Sequence, residues 1–224
     1  RYGLHNIAGN VNIATKSGGN YQLGRVSYGS FNTRDVQAAM GIDEGGFAQN
    51  YALGYLNTDG YRDHSTAENA AFSGKWFLHS EDHRHQLGLI ARHALANAQE
   101  AGYLTRAQAD ADPRQSPSHN ASDEDKRQMT QLALQGKTEL RDDLTATAQI
   151  YMNDLYDRRY VRFSAGTSQQ ERIVGETHVG ASASASWQAG TTALGDLTLT
   201  GGIDTEHQDN RSELYSTLLQ TRTA

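Results

Sequence analysis

No cysteine occurs among the 224 residues, which removes disulfide staples and thiolate metal sites together. Only two prolines are present, Pro113 and Pro117, and both fall in one polar stretch. Proline cannot donate to a strand ladder, so that stretch is expected to lie outside any sheet. No run approaches the ~18 consecutive apolar residues that a membrane helix needs, and the overall hydropathy is strongly polar. A cation excess is missing too. The formal net charge of -6, with no basic stripe interleaved with aromatics, argues against a nucleic-acid partner. None of these absences excludes a membrane β-barrel, which shows lipid only every second residue while its lumen and loops stay polar.

What is present is a series of period-two segments and 22 glycines. Near Tyr21 to Ser30, Gly24, Val26 and Tyr28 oppose Arg25, Ser27 and Gly29. Val36, Ala38, Met40 and Ile42 then alternate with Gln37, Ala39 and Gly41. A third segment sets Phe47, Tyr51, Leu53 and Tyr55 against Ala48, Asn50, Ala52 and Gly54, and a fourth sets Phe72, Gly74, Trp76 and Leu78 against Ser73, Lys75, Phe77 and His79. A fifth sets Leu87, Leu89 and Ala91 against Gln86, Gly88 and Arg92. After a long gap come Leu132 and Leu134, then Leu144 to Met152, then Val179 to Trp187, and a ninth carrying Leu197, Leu199 and Ile203. Alternation of this kind marks half-buried strands.

The connections alternate as well. Asp43 to Gly46, Ser80 to Arg84, Glu139 to Asp143 and Ala189 to Gly195 are expected as turns, whereas Asn57 to Asn69, Asn97 to Asp125 and Asp154 to Arg172 are expected as loops. Outer-membrane barrels have short periplasmic turns and longer extracellular loops, so the pattern assigns the two ends of the sheet. Tyr28, Tyr55 and Phe72 then fall at outer strand ends and Phe47 and Trp187 at inner ends, as two interfacial girdles require.

The opening residues sharpen this picture. Tyr2-Gly3 and Ala8-Gly9-Asn10-Val11-Asn12-Ile13-Ala14-Thr15-Lys16 resemble the last plug strand of TonB-dependent outer-membrane receptors, with Asn10 where that family is usually apolar and Ala8 where a glycine is common. The chain opens at Arg1 without a methionine, so a longer protein is expected. The resemblance implies an all-β fold: an antiparallel transmembrane β-barrel, of which about nine strands of a larger barrel are present. Residues 1–19 would end the plug domain and 20–224 would begin the barrel. It also implies a receptor in the Gram-negative outer membrane, with no enzymatic activity and no cofactor. Its expected cargo is a ferric siderophore or similar iron chelate, taken up with energy from the TonB complex. Outer-membrane lipid and lipopolysaccharide would surround it. A passive porin-like or adhesive barrel, a receptor for a non-iron ligand such as pyrroloquinoline quinone or a vitamin, and a secreted carbohydrate-binding sandwich remain alternatives.

No catalytic or metal site is expected. G-x-S-x-G, P-loop and H-E-x-x-H motifs are absent. His79, His83 and His85 surround an expected turn, Glu81 and Asp82 are sequence neighbours that point apart on an extended chain, and no acid or histidine is spaced to orient Ser184. Two loop segments carry ligand candidates. The stretch from Ala101 to Ser116 resembles an external loop of ferric-chelate receptors; it contains Tyr103, Arg106 and Arg114, and its first half is expected to make one or two helical turns. The second candidate cluster is Tyr156, Arg158, Arg159, Tyr160 and Arg162. Guanidinium forks bind carboxylate or phosphate oxygens in pairs, and aromatic rings stack on flat ligands, so the expected ligand is a small anionic chelate. Charged loops that serve only solubility or lipopolysaccharide contact would read the same way.

Overall fold

The computed structural model describes residues 15–192 and 195–223. The expectations resting on Tyr2-Gly3 and on residues 8–14 lie outside the described residues. Ten strands follow one another: β1 (Tyr21–Gly29), β2 (Thr33–Glu44), β3 (Phe47–Thr58), β4 (Ala67–His79), β5 (His85–Gln99), β6 (Glu124–Arg141), β7 (Leu144–Val161), β8 (Gln169–Thr192), β9 (Gly195–Leu218) and β10 (Thr221–Arg222). One short α-helix, α1 (Arg106–Ala111), and a single 3-10 turn, Ser118–Asn120, lie between β5 and β6. All ten strands form a single antiparallel meander in chain order, with β1 at one edge and β10 at the other. Nine strands were expected; the tenth has two residues, too few to carry an alternation.

Register fixes the two faces, because residues paired across an antiparallel ladder point the same way. Leu78, Leu87, Gly136, Ala148, Ala183 and Ile203 are successive partners from β4 to β9. The adjacent row runs His79, Gln86, Lys137, Thr147, Ser184 and Gly202. One face is thus apolar and the other polar across the sheet, with the apolar residues on the sides the alternation assigns. Large side chains on the apolar face stay uncovered, Ile203 being 77% exposed. No second sheet packs on them among the described residues. The sandwich alternative therefore has no counterpart in the fold.

Strand length carries a second message. On β7 the apolar face is continuous from Leu144 to Met152, and on β8 from Val179 to Trp187. Each stretch matches the ~9–11 residues of a membrane-crossing strand. Yet β7 has 18 residues and β8 has 24. Beyond the band the ladder runs on for roughly 30 Å at ~3.3 Å per residue. This moves a boundary: Asp154 to Arg172 is not a loop, since β7 continues to Val161 and β8 starts at Gln169. Where both faces meet water, the apolar alternation disappears while the backbone hydrogen bonds persist.

The short-turn end is built by local chemistry. Gly45 and Gly46 have φ of 58° and 80°, the left-handed pair that a two-residue hairpin between twisted strands requires. At the same end the Trp187 indole N–H donates to the Asp143 carboxylate at 2.8 Å, an apolar ring with a polar anchor at the edge of the band.

The chain entering β1 lies against the polar face. Lys75, only 8% exposed, donates to the carbonyl oxygens of Thr15 and Lys16 at 3.2 and 3.0 Å. Asn50 donates to the Gly18 carbonyl, and the Asp43 carboxylate accepts the Gly19 amide at 3.2 Å. Gly41 makes this approach sterically feasible, because a Cβ there would overlap the Gly19 carbonyl oxygen and the Tyr21 ring. Gly41→Val should therefore displace residues 15–20 from the wall at a cost of about 1–3 kcal/mol. Tryptic cleavage after Lys16 should quicken markedly in that variant; unchanged cleavage would show that the contact is not held.

Candidate ligand-binding site

The long-loop end of the sheet carries the chemistry. The loop between β5 and β6 is clamped to the loop between β3 and β4 by Arg62, whose guanidinium donates to the carbonyls of Gly102 (2.6 Å), Ala101 (3.0 Å) and Gln115 (2.8 Å). Five donors in a planar fork let one side chain gather both ends of the segment that contains α1. Thr105 caps that helix through a reciprocal box with Gln108. Below it, Asp123 is 1% exposed and accepts from Asn120 Nδ2 (2.8 Å), the Arg162 amide (2.7 Å) and Gln169 Nε2 (2.8 Å). These contacts join the two outer loops to the ends of β7 and β8.

The eight candidate residues separate within this rim. Arg114 packs over the Phe31 and Tyr61 rings, 5.8 Å from each centroid, and donates to the Tyr61 carbonyl at 3.1 Å. Arg106 reaches one turn along α1 to Asp110 at 2.9 Å. Arg162 donates to the carbonyls of Thr167 (2.7 Å) and Ala165 (2.8 Å), tying up its own loop.

Tyr156, Arg158, Arg159 and Tyr160 lie on β7 rather than in a loop, so parity divides them. Tyr156, Arg158 and Tyr160 continue the apolar face above the band, and Arg159 is on the polar face. Arg158 is committed to Glu171, at 2.9 Å. Glu171 is 2% exposed and also accepts from Tyr160 (2.9 Å) and from Arg222 (2.6 Å) of the carboxyl-terminal hairpin. Burial alone would raise the Glu171 carboxyl, but hydrogen bonds from Arg222 and Tyr160 and the two guanidinium charges hold it below the usual carboxylate range. These contacts fasten β7, β8 and β10 together on the outside of the wall.

Arg159 has different company. Across the ladder its partners are Asp125 on β6 and Arg172 on β8, and the next row holds Arg127 and Asp157. The Arg127 Nε donates to Asp157 at 2.8 Å. Arg159 is paired with Glu100 at 2.7 Å, a contact that raises the affinity of the guanidinium for its proton. The Arg172 side chain makes no hydrogen bond or ion pair with another described residue. Burial, and then the Asp157 charge, push the Asp125 carboxyl up. Asp125, Arg127, Asp157, Arg159 and Arg172, together with Glu213, line a cleft of about 420 Å³, within the ~300–1,000 Å³ of small-ligand sites. Tyr103, 79% exposed, lies near enough to contribute to the electrostatics of Arg159.

Of the eight candidates, then, Arg159 alone lines the polar-face cleft, with Tyr103 standing near it. The sequence reading missed Glu100, Asp125, Arg127, Asp157 and Arg172. The signal available was the i, i+2 spacing of Asp125 with Arg127 and of Asp157 with Arg159, which puts each pair on one face of a strand. Such a site can hold an anionic ligand by paired hydrogen bonds. No group of three histidines or carboxylates poised to hold a metal occurs among the described residues.

No family model and no curated protein matches the chain. Solved structures do share its fold. The ferric citrate transporter FecA, in its unliganded form, is 17% identical with a TM-score of 0.73, over 89% of this chain and 30% of that one. The ferric-catecholate import receptor Fiu from E. coli K12, in its open form, is 12% identical with a TM-score of 0.66, over 88% of this chain and 36% of that one. FpvA of P. aeruginosa, bound to heterologous pyoverdines, is 11% identical with a TM-score of 0.66, over 88% of this chain and 28% of that one. The chain thus spans about a third of the length of these barrels, and its sheet is an open part of that fold.

Proposed function

We propose that this chain is the first part of the barrel of a TonB-dependent outer-membrane receptor that imports an anionic iron chelate. One observation carries the ligand class: the cleft that joins Arg127, Arg159 and Arg172 on the polar face, above a nine-residue apolar band, at the end of the sheet that bears the long loops. In a closed barrel that face is the lumen, so the arginines would meet a ligand entering from outside. The seating of residues 15–20 against the same face supports a plug upstream and disfavours an empty porin. The cargoes named for FecA and Fiu, ferric citrate and ferric catecholates, are anions that could pair with the arginines of this cleft. A polycarboxylate without iron would fit it equally well.

The test separates the two arginine groups in the intact protein. Changing Arg159 and Arg172 together to Gln should weaken binding of an anionic chelate about 30-fold, since each charge-assisted hydrogen bond contributes on the order of 1.5–3 kcal/mol gross and part is recovered by water. The loss should be larger at low ionic strength, where attraction is least screened. Arg158→Gln should change affinity less than about threefold, because its partner is Glu171. Equal losses in the two proteins would remove the cleft from consideration.

A further inference from the structure

Glu100 is the carboxylate that holds Arg159 at the mouth of the cleft. It follows β5 by one position, and its parity puts it with Ala98 on the polar face, one step beyond Asp125. Its Oε1 lies 2.7 Å from Arg159 Nε and its Oε2 accepts from Arg159 Nη2 at 2.7 Å. Only the Nη2 contact is a hydrogen bond; Nε lies within ion-pair distance but keeps no hydrogen-bond partner, so Glu100 engages this guanidinium as a single-point carboxylate and leaves one donor unused. The guanidinium that the cleft offers to an anion is therefore already holding one.

Three features make this contact exchangeable rather than part of the scaffold. The Glu100 side chain is 23% exposed, so it can rotate into water without a buried charge being stranded. Its backbone stays in place, because the Glu100 amide donates to the Asp123 carbonyl at 3.0 Å and Arg62 and Asp123 pin the loop on either side. Arg172 stands directly across the ladder from Arg159, and it has no ion-pair partner among the described residues. Like charges set opposite on neighbouring strands repel. An anion bridging the two guanidinium groups relieves that repulsion, and Glu100, reaching Arg159 from the far side, does not.

We infer that Glu100 is a built-in competitor: its carboxylate occupies Arg159 while the cleft is empty and is displaced by the anionic group of the arriving ligand. The inference rests on the function proposed above. Exchange needs one side-chain rotation and no loop opening. It lowers apparent affinity by the fraction of molecules in which Arg159 is free, and it acts on the empty state alone. Anions able to bridge both arginines displace Glu100; monovalent anions reaching one do not.

The test uses the intact protein in detergent micelles with three probes, inorganic phosphate, citrate and ferric citrate. Glu100→Gln should tighten citrate or ferric citrate about three- to fivefold. The gain should lie in a faster association rate with dissociation unchanged. Glu100→Asp, which keeps the charge but shortens the reach by one methylene, should tighten binding by a smaller factor and checks against a folding artefact. If Glu100 instead orients Arg159 for the ligand, Glu100→Gln weakens binding through faster dissociation, and that result, or no change, overturns the inference. Arg159→Gln tells the two failures apart. Weaker binding in that variant with no gain from Glu100→Gln defeats the competitor and leaves the receptor reading standing. Failure of all three probes to bind, or indifference to Arg159→Gln, defeats both.

Discussion

The Ala148→Arg protein should lose about 2–4 kcal/mol of stability in lipid vesicles, and the Thr147→Arg protein far less. Ala148 sits midway along the apolar stretch of β7, between Gly136 and Ala183 across the ladder. A guanidinium there has no water and no counter-charge within reach, and the long stem must bend toward the band edge to find either. Thr147 is one residue away but on the polar face, where its hydroxyl already meets Ser184 at 2.8 Å. Denaturant unfolding of the intact protein from vesicles gives both numbers. Equal losses would mean that the two faces are not lipid and lumen, and a cysteine scan of Val36 to Ile42 with a lipophilic label should then lack its two-residue rhythm.

Replacing Asp123 by Ala should detach the rim. Three donors converge on that buried carboxylate, from Asn120, the Arg162 amide and Gln169. The Asp123 main chain also accepts from His64 at 2.7 Å, so the residue ties the two outer loops and the ends of β7 and β8 to one point. Losing the side chain strands buried donors at about 1–3 kcal/mol each, partly relieved by entering water, for a net cost near 3 kcal/mol. Asp123→Asn should be nearly as harmful, because its amide would aim N–H groups at N–H groups. Hydrogen exchange over residues 100–123 should rise strongly in both variants, while the apolar band stays protected. Uniform deprotection would mean instead that the rim and the wall unfold as one unit.

How far the wall was legible follows from what faces it. In the band, an apolar face and a polar face impose opposite demands on successive residues, and Val36, Ala38, Met40 and Ile42 on β2 or Ala181, Ala183 and Ala185 on β8 record them directly. Above the band both faces meet water and the record stops. That is why Arg158 and Arg159 looked like members of one loop cluster when a continuing ladder turns them to opposite sides. Loop contacts left no periodic trace at all: Arg62 is an ordinary charged residue in sequence, and its four hydrogen bonds depend on carbonyls about 40 and 53 positions away.

The sequence by itself determined the all-β class and the facing of the residues within the band, because solvent contact there repeats every second residue, and the end at which the long loops gather, because short and long connections alternate along an antiparallel meander. Tertiary structure alone decided which arginines are free. Whether a guanidinium is bound to Glu171, packed on Phe31 and Tyr61, or left in a cleft with Arg172 depends on strand register and loop closure, which bring together residues that no local pattern relates.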